Sequence, residues 1–233
     1  MKNKIENIFV VGTDTGIGKT VLSLILMQFF YSRGERPFYI KPIQTGCRDP
    51  YDPDSDAGFI YKNVKALKRK DPSDSVIYCF KKPKAPCFAA RDERKKIDLQ
   101  VIGEFLEKKS RVFYPIIIEA AGGVLVPVDE KNLMVDLIQF AAAKPVIAAR
   151  AGLGTINHTL LTIEALTKRG IRISGVVFLD PGEEATPDKM IKENIEAVEK
   201  ASGIKVAGVI KNIRDFSKLR EEDRQTLEKI FEK

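Results

Sequence analysis

The sequence predicts an α/β fold: a single domain over residues 1–233, built on a doubly wound, mostly parallel sheet held between two helical layers as an α/β/α sandwich. Three observations predict it. Apolar runs of strand length recur along the chain, each is followed by a glycine-rich turn, and a helical pattern then resumes. With 233 residues, a hydrophobic fraction of 44% and a mean hydropathy of −0.15, the chain can bury a full core as one domain.

The first apolar run, 8–12, leads into a helix expected over 19–32. There Val21, Leu22, Ile25, Leu26 and Phe29 recur at helical spacing, and Gly34 stands just past the end. Five further strands are expected at 37–40, 116–120, 145–149, 174–179 and 206–210, and helices at 157–169, 187–201 and 215–232. The segment 41–98 breaks this rhythm. It is rich in Pro, Asp and Lys, holds one short helical stretch at 57–62, and reads as a loop-rich excursion over the active face. No repeat, low-complexity tract or linker interrupts the chain.

Composition narrows the function classes. Cys47, Cys79 and Cys87 form no CxxC pair and leave an odd count, against both a disulfide framework and a thiolate metal site, and in keeping with a reducing cytoplasm. The apolar run after the N-terminal lysines is too brief for a signal segment, and no stretch approaches membrane-span length. The net charge of +7 and pI near 9.2 would suit an anionic partner. The densest basic group, Lys65, Lys68, Arg69 and Lys70 followed by Lys81, Lys82 and Lys84, has only Tyr78 and Phe80 interleaved. It reads as solvated surface rather than a nucleic-acid patch, with steering of anionic substrates as a third reading.

Residues 12–20 read GTDTGIGKT, directly after a strand and before a helix, the context of a P-loop. Backbone N–H groups of Gly16, Ile17, Gly18 and Lys19 would converge on phosphates at the helix N-terminus, where unsatisfied donors and the helix dipole favour anions. Lys19 would bridge β and γ oxygens, and the Thr20 hydroxyl would sit on Mg²⁺. The strict spacing puts its first glycine at position 13, where Thr13 stands, with Gly12 one residue earlier.

With that loop, YIKPIQTG at 39–46, SDA at 55–57, IIIEAAGG at 116–123 and GLGTINHTLLT at 152–162 occur in an order and spacing that resembles the dethiobiotin synthetases, from about residue 8 to at least 179. The resemblance implies a P-loop NTPase-like fold and ATP-dependent carboxylation of 7,8-diaminononanoate by CO₂ with closure of the ureido ring. It implies ATP and Mg²⁺ as cofactors and a cytoplasmic homodimer with the active site at the subunit interface. On it, Lys41, Lys19 and Thr45 are catalytic candidates. Nucleotide contacts fall on Thr15, Gly16, Ile17, Gly18, Lys19, Thr20, Asp56, Glu119, Gly122, Leu179, Asp180 and Asn212. The substrate would meet Lys41, Thr45, Gly152, Leu153, Gly154 and Asn157.

The chemistry of these residues supports the assignment. Lys41, read as directly following a strand and held extended before Pro42, can aim its ammonium at carbamate and γ-phosphate charge. Mg²⁺ prefers hard oxygens, and Thr20, Asp56 and Glu119 are the candidate ligands. Glu119, read as finishing a strand, calls for a cation or donors. Asp56 could instead cap a helix, with Asp54 the other cap candidate, and spacing excludes neither Asp52 nor Asp54 as a ligand. The turn 152–158 precedes a helix whose N–H groups could take a substrate carboxylate. His158, the only histidine, is assigned no chemistry.

Three positions depart from the family pattern. Gly16 and Ala120 replace an acidic residue and a glycine, and Leu179 replaces the asparagine that reads adenine, which puts base selectivity in doubt, with Asn212 placed to recover contacts. A rival reading is a partition or septum-placement ATPase binding DNA or membrane. It is disfavoured because its signature lysine position holds Asp14 and no amphipathic membrane helix closes the chain. Related amide-forming synthetases need a glutaminase domain for which the chain is too short.

Overall fold

A computed structural model describes residues 7–180 and 185–232. In chain order the elements are β1 (Ile8–Gly12), α1 (Lys19–Ser32), β2 (Phe38–Thr45), α2 (Asp56–Asn63), β3 (Val76–Phe80), α3 (Pro86–Asp92), α4 (Leu99–Ser110), β4 (Ile116–Gly123), α5 (Met134–Phe140), β5 (Lys144–Arg150), α6 (Thr155–Thr167), β6 (Gly175–Asp180), α7 (Asp188–Ser202), β7 (Val206–Lys211) and α8 (Glu221–Phe231). The strands form one sheet in the order β3-β2-β4-β1-β5-β6-β7. Every neighbouring pair is parallel.

Strand periodicity assigns the two faces. In β1, Ile8 and Val10 turn toward a core shared with α1, α2 and α8, whereas Phe9 and Val11 turn toward one shared with α3 to α7. All five β1 residues are buried, which is why a parallel strand reads as a continuous apolar run. The chain moves outward from β1 to β2 and β3, returns to insert β4 beside β1, and then builds β5 to β7 on the other side. The strand order therefore switches at β1, and ligands bind beyond the carboxyl ends of strands at such a point.

Several sequence expectations need correction. A seventh strand, β3, lies at the sheet edge inside the excursion, and α3, α4 and α5 add three helices the periodicity did not show. Lys41 does not follow a strand but lies within β2, which continues to Thr45. Glu119 likewise lies inside β4, which continues to Gly123. Ser55 rather than Asp54 or Asp56 caps α2, its side chain accepting from the Gly58 N–H, so Asp56 is the first helical residue. The last helix begins at Glu221 rather than 215, because Asp215 accepts from both the backbone and the hydroxyl of Ser217 and closes a turn there. The N-terminal lysines weighed as a leader, Lys2 and Lys4, lie outside the described residues.

Candidate active site

The loop from β1 to α1 reverses through two left-handed glycines, Gly16 at φ 70° and Gly18 at φ 94°. Gly18 is also the N-cap of α1, and no side chain caps that helix, so its leading N–H groups are free for an anion. Lys19 then folds back over the loop and donates from Nζ to the Asp14 carbonyl at 2.8 Å. That path explains the shifted glycine. A Cβ on Gly12 would stand 2.9 Å from Lys19 Nζ and 2.8 Å from the Asp14 carbonyl oxygen, so the loop needs its glycine at 12.

Below the loop four polar side chains meet. Thr20 donates its hydroxyl toward Asp56 Oδ1 at 2.6 Å and Glu119 Oε1 at 2.9 Å. The Lys41 ammonium reaches Glu119 Oε1 and Asp56 Oδ2, each at 2.8 Å, and the Ala120 carbonyl at 3.1 Å. The register places them. Tyr39 pairs with Ile117 and Ile40 with Ile118, so one step further Lys41 stands beside Glu119 on the same face. Tyr39, one strand period before Lys41, donates its hydroxyl to Glu119 Oε2 at 2.9 Å. Gln44 accepts the Asp56 N–H at 3.3 Å.

These groups are buried and charged, and they set each other's ionisation. Burial and the Lys41 charge push the Lys19 ammonium down to about 8, against the opposing pull of Glu119, Asp56 and Asp14. Burial would also lower Lys41, but the charges of Glu119 and Asp56 and their hydrogen bonds win and hold it above the ordinary lysine value. Burial would raise Asp56, yet Lys41 and the hydrogen bonds from Lys41, Thr20 and Gln44 keep it below the usual carboxylate range. Burial, then the Glu119 and Asp56 charges, raise Tyr39 well above its ordinary value. Lys41 is therefore a fixed cation rather than a proton acceptor, and Tyr39 a fixed donor.

A cavity of about 190 Å³ opens over this cluster, lined by Thr15, Gly16, Lys19, Thr20, Lys41, Gln44, Thr45, Asp56, Glu119 and Gly122 among others. It brings together most of the residues the sequence singled out. Ile17 is not on the cavity wall, its side chain being buried in the core with α1. Leu179, at 3% exposure, packs beneath the loop, where a Cβ on Gly18 would stand 2.7 Å from Leu179 Cδ2. Asp180 accepts from the backbone and hydroxyl of Thr186 at 3.0 and 2.9 Å, and Asn212 is exposed after β7. Gly152, Leu153, Gly154 and Asn157 lie at the start of α6, where no hydrogen bond among the described residues joins them to the charged cluster. Tyr39 and Gln44 escaped the sequence reading. The period of two that separates Tyr39 from Lys41 was the signal available for the first.

A second groove of about 390 Å³ runs between the phosphate loop, residues 123–126 at the end of β4 and just beyond it, and His158, Leu161, Thr162 and Ala165 of α6. Its surroundings carry exposed Leu125 and Leu161, with Leu153 at 90% exposure at the head of the helix. In the basic excursion, Lys82 and Lys84 both bond Asp92, at 3.0 and 2.7 Å.

A family model described as an AAA domain matches residues 6–220. The chain is 32% identical over 209 residues to the ATP-dependent dethiobiotin synthetase of Methanococcus vannielii, covering 90% of this chain and 95% of that protein. It is 36% identical over 214 residues to the protein of that name from Methanocaldococcus jannaschii, with the same two coverages. Among solved structures, the MinC:MinD cell division protein complex of Aquifex aeolicus matches with TM-score 0.62 at 16% identity, covering 98% of this chain and 96% of that one. The Pyrococcus furiosus cell division ATPase MinD matches with TM-score 0.59 at 15% identity, covering 97% and 98%. At such identities the structural likeness shows a P-loop NTPase fold alone.

Proposed function

The chain belongs to the dethiobiotin synthetase family, and from that premise we propose a mechanism in which Lys41, Lys19 and Thr45 bring a carbamate and a triphosphate together. The protein is an ATP-dependent ligase of dethiobiotin synthesis. The single observation that carries the mechanism is the convergence of Lys41, Thr20, Asp56 and Glu119 beneath the phosphate loop.

One amine of 7,8-diaminononanoate adds to CO₂ and loses a proton, giving a carbamate. The carbamate oxygen then takes the γ-phosphoryl group, giving a carbamic-phosphoric mixed anhydride and ADP. The second amine attacks the carbonyl carbon, expels phosphate and closes the ureido ring. The protein's task is to hold anions at close quarters. Loop amides and Lys19 grip the triphosphate. Lys41, kept protonated by its carboxylate neighbours, sets a fixed positive charge where carbamate and γ-phosphoryl oxygens meet. Thr45, on the cavity wall, offers a hydroxyl to the carbamate or amine.

The donor set fits Mg²⁺. Asp56 and Glu119 each present a hard oxygen within 2.9 Å of the Thr20 hydroxyl, and these three residues would hold the ion. Held there, Mg²⁺ would supply neutralisation of phosphate charge. The substrate carboxylate is assigned to the backbone N–H groups at the opening of α6, at Gly152, Leu153, Gly154 and Asn157, supplied by a second subunit. The exposed leucines 125, 153 and 161 around the second groove support a homodimer there. No helix among the described residues is long and apolar enough to cross a membrane. The relatives at 32% and 36% identity favour this reading over a partition ATPase.

The test is to incubate the protein with diaminononanoate, bicarbonate, Mg²⁺ and ATP and to weigh the product. A ureido product with one phosphate released per ring is the expected result. Phosphate release indifferent to the diamine, or stimulated by DNA, would overturn the assignment. Lys41→Met, assayed below its melting temperature, should lose about 100-fold or more in kcat while triphosphate affinity changes by less than about threefold.

A further inference from the structure

Outside the charged cluster, two thiols stand together. Gly46, at φ 86° with its N–H donated to the Phe80 carbonyl at 2.9 Å, turns the chain back over β3 as it leaves β2. A Cβ there would stand 3.2 Å from the Pro83 side chain, so the turn needs glycine. The turn sets Cys47 over Cys79, whose neighbour across the ladder is Gln44. The two Sγ atoms lie 3.8 Å apart, and the Cys79 thiol also donates to the Cys47 carbonyl at 3.6 Å. Cys47 is buried and Cys79 half-buried, while Cys87 lies on α3.

We propose that Cys47 and Cys79 are a reversible modification site, closed to an intramolecular disulfide by a small-molecule disulfide, and that closure slows turnover by tightening the segment that carries Asp56. The chemistry balances as two exchanges. The Cys79 thiolate attacks one sulfur of the small disulfide, forming a mixed disulfide and releasing one thiolate that takes up the first proton. Cys47, deprotonated in turn, attacks Cys79 Sγ and expels the second small thiol. The two cysteines are oxidised by two electrons and one disulfide is reduced to two thiols.

Cys79 is the entry point, being the more accessible, and burial together with the adjacent Cys79 pushes the Cys47 thiol up to about 12. Both thiols therefore stay protonated and quiet near neutrality, and closure quickens as pH rises. The bond would bring two sulfurs from 3.8 Å to about 2.05 Å and would pin the start of the segment from Cys47 to Asp56 covalently to the edge strand β3. That segment is held locally, by Asp52 accepting the Arg48 and Asp54 N–H groups and by the long Gln44–Asp56 bond of 3.3 Å. The pinned segment ends at Asp56, a carboxylate of the charged cluster, so its restraint bears on that group.

The experiment treats the whole protein with glutathione disulfide at pH 8.5 and then measures intact mass, denatured thiol count and turnover. The expected product has lost two hydrogens, keeps one of its three thiols, and melts roughly 5 °C or more higher. Turnover should fall by about tenfold or more and return with dithiothreitol. Peptide mapping should join Cys47 to Cys79, Cys79→Ser should abolish closure, and Cys87→Ser should leave it intact. Three thiols surviving, an adduct stalled as a mixed disulfide, or a bond through Cys87 would each overturn the proposal. Full closure with unchanged turnover would overturn the link to Asp56. The mass and thiol measurements are independent of the reaction assigned above, whereas the turnover arm rests on it.

Discussion

Replacing Lys41 by methionine keeps the length of the side chain and removes one charge from a buried quartet. Lys19, Lys41, Asp56 and Glu119 balance two against two in the protein alone, and Lys41 is the cation that touches both carboxylates. The Glu119 side chain is fully buried and that of Asp56 is 25% exposed, so neither recovers water readily. Breaking a buried ion pair from one side costs about 3 to 5 kcal/mol. Thr20 and Tyr39 still donate to the carboxylates, which argues for about 3 kcal/mol, or a melting temperature lower by about 6 to 12 °C for a chain of this size. The assay is a thermal melt at pH 7, repeated across pH and with Mg²⁺ in the absence of nucleotide. In the parent protein Asp56 titrates below its unfolded value, so its contribution is present above the unfolded carboxylate pKa and lost as pH falls through the folded one. Without Lys41 the main downward pull on Asp56 is removed, so the stability gap should narrow as pH falls from 7 toward 4. Mg²⁺ should raise the melting temperature of the variant more than that of the parent, because no ammonium competes for the oxygens. A drop under about 2 °C, together with an equal response to Mg²⁺, would refute the view that Lys41 holds these acids.

Lys19 should couple nucleotide affinity to pH. Its ammonium is pushed down to about 8 in the empty site, so triphosphate affinity measured without divalent ion should weaken by about tenfold between pH 7 and 9 as the cation is lost; a flat profile would contradict the assigned burial and repulsion. Leu179→Asn should not sharpen discrimination between ATP and GTP, because the side chain packs beneath Gly18; it should instead destabilise by about 1 to 3 kcal/mol through a buried unpaired amide, read in the same melts against a nucleotide competition assay.

The parts of the fold legible in the sequence were those whose burial is symmetrical. β1, β4, β5 and β6 are covered on both faces and read as apolar runs, broken within β4 only by Glu119. β3 was missed although VIYCF is apolar, because it sits at the edge, largely half-buried, between lysine- and proline-rich flanks. In α4 only Ile102 and Leu106 are buried, and Gly103 faces the Phe140 ring, so too few apolar positions repeat to announce a helix. The phosphate loop was legible because its function is local. That Asp56 and Glu119 face one site was expected from the family resemblance, but the ion pairs tying Lys41 to both acids were not, because they depend on how β2 is registered against β4 and on where α2 returns to the sheet.

Pro42 explains why a sheet interior can hold such a cluster at all. β2 pairs with β4 only at Phe38, Tyr39 and Ile40, whereas its pairing with β3 runs from Lys41 to Thr45. Proline has no N–H to give, so the ladder toward β4 has nothing to continue with at position 42. The strands part there, β2 keeping only its outer neighbour. The side chains of Lys41, Gln44 and Thr45 on one strand, and the segment from Glu119 to Gly122 on the other, line the space that opens. The cavity thus follows from a break in hydrogen bonding one residue past Lys41. The buried Glu119 and the partly exposed Asp56 are tolerable at that break because Thr20 of α1 and Asp56 of α2, packed on the face toward which Lys41 and Glu119 point, meet those side chains there and satisfy one another.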